Sequence, residues 1–130
     1  MPVERLGSGG PYEALVGYSR VVRGGDHVWV AGCTAVGEDG VVGGPGDFYE
    51  QARLALGAVE RALAQVGAAA GDVVRTRMYV TDTSQWEAVG RAHGEMFGDV
   101  RPVTAMIGVA ALLDPHMLVE IEADAYLGAD

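Results

Sequence analysis

Residues 118–127 read LVEIEADAYL. Glu120, Glu122 and Asp124 alternate there with Val119, Ile121, Ala123 and Ala125. Successive side chains of a β-strand point to opposite faces, so this stretch predicts a strand with one apolar face and a row of three carboxylates on the other. The apolar face needs a covering layer. The acid row needs something to meet it, either water, basic groups on a neighbouring strand, or another chain. Together these demands predict a sheet covered by helices on one face only.

Two helices can supply that layer. Asp47 and Glu50 have the spacing of a capping box just after Pro45-Gly46. Ala52, Leu56, Val59, Leu63 and Val66 then recur at helical spacing, with Gly67 as the stop. Ser84 and Glu87 repeat the capping-box spacing and open a second helix. Its apolar side is Trp86, Val89, His93, Met96 and Phe97, and Gly98 ends it. The remaining pattern reads as strands. Two flank the turn Gly24-Gly25-Asp26, the second over 27–35 with the apolar run Val28-Trp29-Val30-Ala31. Others fall at 73–81, 103–111 and 118–126, the last two joined by a loop containing Asp114-Pro115-His116. The predicted order is β-β-α-β-α-β-β, an α+β fold forming a single domain over residues 1–130. Two amphipathic helices cover one sheet face only. Arg75, Arg77 and Tyr79 share a face by the same alternation, and are expected to meet the acid row on a neighbouring strand or subunit.

Composition narrows the function. The chain has 130 residues, and its formal net charge is −9. A phosphate backbone demands a basic footprint, so this charge argues against nucleic acid and equally against an anionic membrane surface. No run approaches the length of a membrane span. The single cysteine, Cys33, excludes an intrachain disulfide, and a reduced, cytoplasmic setting is the simplest expectation. The N-terminal residues carry no apolar segment of the signal-peptide type. His27, His93 and His116 are scattered and match no zinc spacing, so no metal is expected. The glycines form no phosphate-loop pattern. Cys33, at the end of an apolar strand, reads as a small buried residue rather than a nucleophile. His93 reads as a core or interface histidine, with a pocket acid–base group as the alternative. Glu120 is either one of three solvated or salt-bridged acids, or a general base holding a water.

Four strings go further. They are GYSRVVRGGDHVWVAG at 17–32, QVGAAAGDVVRTRMYVTD at 65–82, WEAVGRAHGEMFGD at 86–99, and VAALLDPHMLVEIEADA at 109–125. In wording and order the chain resembles the Rid family, also called YjgF/YER057c/UK114, over nearly its whole length. The resemblance implies a chorismate-mutase-like α+β fold assembled as a homotrimer with a barrel-like core, and small-molecule pockets in the clefts between subunits. It implies deamination of reactive imines or enamines, with no metal or organic cofactor. In the family an Arg in a Pro-Ala-Arg-Ser/Thr motif holds the substrate carboxylate as a two-pronged ion pair, and a Glu at the first Glu of VEIE positions the attacking water. Here Glu120 takes the place of that Glu and Tyr18 is retained. The stretch RPVTAMIGVAAL at 101–112 places Thr104 where the Arg belongs. Thr carries no charge, so a bound carboxylate would lose its counter-ion, at a cost of about 2–5 kcal/mol. Arg20, Arg77 and Arg101 are the candidates to compensate. Arg20 comes first because it lies close to Tyr18. Trp29, Met106 and Met117 are expected to help line the cleft. The candidate site is therefore Glu120 as catalytic residue with Tyr18, Arg20, Thr104 and Met106 around the ligand. The alternative is a non-catalytic trimer that binds a metabolite or a protein. A ribonuclease, an activity sometimes attached to the family's names, is disfavoured by the charge and the lack of a His pair.

Overall fold

The alternating stretch at 118–127 holds an interior strand. The computed structural model describes residues 2–128 and places β6, Val119–Tyr126, between two neighbours in a six-stranded sheet. The elements are β1 (Val3–Leu6), α1 (Pro11–Val16), β2 (Val21–Gly24), β3 (His27–Cys33), α2 (Phe48–Gln65), β4 (Val73–Val80), α3 (Trp86–Phe97), β5 (Val103–Gly108) and β6. The sheet order is β1-β2-β3-β6-β4-β5. All neighbours are antiparallel except β4 and β5, which run parallel and are joined through α3. The fold is α+β, with α2 and α3 packed on one face of the sheet.

Val119, Ile121, Ala123 and Ala125 are buried under the helices, while Glu120, Glu122 and Asp124 stay half-buried on the opposite face. The core on the covered side joins Leu56, Val59 and Leu63 of α2 and Val89 and Phe97 of α3 to Val28 of β3 and Val80 of β4. Each such fully buried side chain stabilises the fold by about 1.5–3 kcal/mol relative to exposure. β4 meets the acid row within the same chain, with Arg77 opposite Glu122 and Tyr79 opposite Glu120 in register. Tyr79 Oη donates to Glu122 Oε1 at 2.8 Å, and Arg77 Nη1 lies 3.3 Å from Glu122 and 3.8 Å from Asp124. Exposed cross-strand pairs of this kind contribute about 0.2–1 kcal/mol each.

Several local expectations need correction. β1 and α1 add a strand and a short helix ahead of the predicted order. The Asp47 side chain does cap α2, accepting from the Glu50 N–H at 3.0 Å, but the Glu50 carboxylate turns to Arg53 instead of closing the box. The Ser84–Glu87 box does not form. Asp82 accepts from Ser84 N and Oγ, at 3.0 and 2.7 Å, and caps a 3₁₀ turn at Thr83–Gln85, so α3 begins only at Trp86. β5 ends at Gly108 rather than at residue 111.

One buried polar side chain ties the loop before β6 to α2. Gln51 donates from Nε2 to the carbonyls of Gly44 and His116, and its Oε1 accepts from the Leu118 N–H at 2.8 Å. These bonds use both amide N–H groups and the amide oxygen, and they fix the chain beside Met117.

Candidate functional site

β3 is irregular where it passes β6. The pairing register shifts between Val30 and Cys33, and Gly32 sits in the disturbed segment. A Cβ on Gly32 would stand 2.7 Å from Glu120 Cδ. Only glycine lets the Glu120 side chain lie across β3 at this point. Glu120 thus leaves its acid row and leans towards β3, into a cleft of about 820 Å³. Tyr18, Arg20, Gly32, Cys33 and Glu120 line the cleft from the sheet. Ala58, Arg61, Ala62 and Gln65 of α2 form one wall, and Ser8 to Tyr12, the loop after β3 with Glu38, Leu113 and Met117 complete the rim.

Arg20 is held on several sides. Its Nε lies 3.3 Å from Glu13 Oε2, its Nη1 donates to the Gly32 carbonyl at 2.6 Å and reaches Cys33 Sγ at 3.4 Å, and its Nη2 donates to Tyr18 Oη at 3.2 Å. Its guanidinium also lies 5.5 Å from the Tyr18 ring centroid. Glu13, on α1, is buried and accepts from Ser8 N at 2.9 Å and Ser8 Oγ at 2.5 Å. Burial pushes the Glu13 carboxyl up, but the two Ser8 bonds and the Arg20 charge outweigh it and hold the group below the usual carboxylate range. Glu120 has the opposite balance. Burial and the charge of Glu122 push it up, and the Arg20 charge only partly offsets them. Burial raises the Cys33 thiol as well, against the pull of Arg20, so the sulfur is a neutral wall of the cleft.

The structure brings Tyr18, Arg20 and Glu120 together and leaves Thr104 and Met106 apart. Those two lie on edge strand β5, beyond β4, on the helix-covered side of the sheet. Thr76 Oγ1 hydrogen-bonds Thr104 Oγ1 at 2.7 Å and meets His93 Nε2 at 2.8 Å. His93 thus bonds to a hydroxyl, and its ring packs 4.8 Å from that of Phe97, with burial holding its pKa down. Met106 packs against the core, and Trp29 stacks on His27 on the uncovered face, so of the three expected lining residues only Met117 reaches the cleft. Arg77 is engaged with the acid row and Arg101 with the Gly98 carbonyl. Sequence reasoning missed Glu13 and Arg61. The only local hints for α1, which carries Glu13, were Pro11 at its first position and Gly17, with φ 91°, at its end. Among the described residues no group of His, Cys, Asp and Glu is placed to hold a metal ion, and no helix is long and apolar enough to cross a membrane.

A six-stranded mixed sheet under two helices, with a carboxylate and an arginine in a cleft beside β3, defines a small α+β protein of the kind that the four sequence strings resemble. A family model described as endoribonuclease L-PSP matches residues 11–127. An uncharacterised protein of Streptomyces coelicolor is 43% identical over 127 residues, covering 98% of this chain and 94% of that one. The crystal structure of a YjgF/YER057c/UK114 family member from Mycobacterium tuberculosis is 50% identical with TM-score 0.87, covering 96% of this chain and 99% of that chain. Escherichia coli TdcF with bound serine is 26% identical with TM-score 0.78, covering 94% and 92%. The chain belongs to the YjgF/YER057c/UK114, or Rid, family.

Proposed function

We propose that the protein is a Rid-type hydrolase that converts the imine or enamine of a small metabolite to a carbonyl compound and ammonia, with Glu120 positioning the water. The observation that carries this reading is Glu120. It is half-buried in a cleft, its pKa is raised, and among the described residues no protein group hydrogen-bonds it. A structural carboxylate in that position would be expected to have a partner, as Glu13, Glu50 and Glu122 do. The raised pKa suits a group that must both take and return a proton near neutral pH. Water adds to the C=N carbon while Glu120 takes its proton. The protonated Glu120 gives that proton to the nitrogen, then relays the carbinolamine hydroxyl proton to the departing nitrogen, so that the carbonyl forms, the C–N bond breaks and ammonia leaves. Tyr18 Oη, held in place by Arg20 Nη2, orients the ligand. The serine bound to TdcF supports a ligand of amino-acid size.

The cleft would be completed between subunits of a homotrimer. The uncovered sheet face supports this, because it carries exposed Val103 and Ile107 on the edge strand β5 and exposed Trp29 on β3. A free Cys33 fits a cytoplasmic setting. The endoribonuclease of the family description finds little support in a cleft without histidine on a chain of net charge −9. A non-catalytic trimer is the second reading. What favours it is Thr104, an uncharged side chain already hydrogen-bonded to Thr76.

The test is imine hydrolysis. An amino-acid oxidase generates 2-imino acids, and semicarbazide traps what remains free. The wild type is expected to speed imine loss, with a rate that rises with pH through the raised Glu120 pKa, above the usual carboxylate range. Glu120→Gln should lower the rate by about 100-fold or more and remove that acid limb, with the fold intact. No acceleration by the wild type across a broad amino-acid panel would favour the binding reading, and unchanged turnover in Glu120→Gln would end the role given to Glu120.

A further inference from the structure

We propose that Arg61 binds the anionic group of the ligand, which makes the ligand a small carboxylate-bearing metabolite. The inference rests on reading the cleft as a small-molecule site. All nine basic residues of the chain are arginines, and two of them, Arg20 and Arg61, line the cleft. Arg20 is occupied by Glu13, the Gly32 carbonyl and Tyr18. Arg61 is not. Among the described residues the arginines in ion pairs are Arg20, Arg53 and Arg77. The neighbours of Arg61 along its own helix face explain why. Residues three and four positions away are Gly57, Ala58, Ala64 and Gln65, none of them acidic. Arg53 on the same helix has Glu50 three residues before it and pairs with it at 2.6 Å.

The side chain lies along α2 towards its N-terminus, as helix geometry favours. Its Nη1 stands 3.4 Å from where a Cβ on Gly57 would be, so the glycine one turn earlier keeps that path open. Its charge also acts on the Cys33 thiol, on the side of the cleft where Glu120 stands.

Charge balance sets the ligand class. Glu13 and Arg20 neutralise each other within the wall. Glu38 and Glu120 are the carboxylates that line the cleft, so apart from Arg61 its lining is negative. A ligand carboxylate entering there would be repelled unless a cation received it. Among the described residues Arg61 is the cation of the cleft without a hydrogen-bond or ion-pair partner, and a guanidinium presents the paired donors that a carboxylate takes in two-pronged fashion. Held from the helix wall, the ligand would keep its reacting carbon towards Glu120 and its anionic end away from it.

The experiment is a pair of calorimetric titrations on the whole assembled protein, with pyruvate and with its uncharged amide, pyruvamide. The wild type is expected to bind pyruvate more tightly. Arg61→Gln should weaken pyruvate binding by about 10- to 100-fold while pyruvamide binding stays unchanged, and Arg61→Lys should restore part of the loss. An unchanged melting temperature and assembly mass in Arg61→Gln would locate the effect in the cleft. Equal binding of the two probes by the wild type, no pyruvate binding, or unaltered pyruvate binding in Arg61→Gln would each overturn the proposal. Arg61-dependent pyruvate binding without imine hydrolysis would remove the hydrolase reading and leave the anion site standing. Hydrolysis that is indifferent to Arg61→Gln would do the reverse.

Discussion

Arg20 meets acceptors from three segments: the Glu13 carboxylate on α1, the Gly32 carbonyl on β3 and Tyr18 Oη ahead of β2. Its partner Glu13 is held in turn by Ser8. Such a chain of bonds fixes a charge at the cleft without leaving a buried group unsatisfied. Glu13→Gln keeps the shape and removes the charge, so Arg20 keeps its neutral acceptors but loses its counter-ion. The expected loss of stability is about 1.5–3 kcal/mol, read from chemical denaturation at neutral pH. The pH dependence has a definite sign. The folded-state pKa of Glu13 lies below its unfolded value, so its stabilisation is present above the ordinary carboxylate range and fades as pH falls through the lowered value. The gap between wild type and Glu13→Gln should therefore narrow in acid. A gap that stayed constant from neutral to acid pH would show that the charge on Glu13 contributes nothing.

At the scale of elements, the β3 irregularity is what lets the Glu120 side chain reach the cleft. A regular strand with a side chain at position 32 would close the space that Glu120 occupies. Gly32→Ala is expected to displace the Glu120 carboxylate, because that flexible side chain can swing aside while backbone cannot. Imine hydrolysis should fall towards the level of Glu120→Gln, whereas stability should change by no more than about 1 kcal/mol. Retained turnover in Gly32→Ala would mean that Glu120 does not depend on this contact. The elements themselves were legible to different degrees. The helix stripe from Ala52 to Val66 and the alternation of β6 announce themselves, because each repeats one local rule over several turns or residues. α1 is too short to show a period, and its six residues are ordered by tertiary bonds from Glu13. The start of α3 was misplaced because Asp82 outcompetes Ser84 as the capping side chain, one short turn earlier.

For the whole molecule, the sheet has one face under helices and one face uncovered. Exposed Ile107 and Val103 on β5 share that open face with Trp29 of β3. If three copies meet there, sedimentation equilibrium should give three times the chain mass for the wild type. Ile107→Asp should shift the mass towards that of one chain and lower the melting temperature, since a charge would be buried in an apolar contact. A wild type that sediments as a single chain would remove the inter-subunit cleft from the proposed function.

The sequence by itself determined the strand alternation, the two amphipathic helices, the one-sided covering of the sheet and the family resemblance with its Thr104 departure. All are local patterns, or strings readable in order. Only the tertiary structure decided which acids are paired and which is not. Glu122 and Asp124 meet Arg77, while Glu120 crosses to Gly32 on another strand. It also decided that Arg20 is occupied and Arg61 is not. The physical reason is that a side chain's partner depends on strand register and on the depth of a cleft. Both arise when segments distant in sequence pack together, and neither leaves a period in the sequence to read.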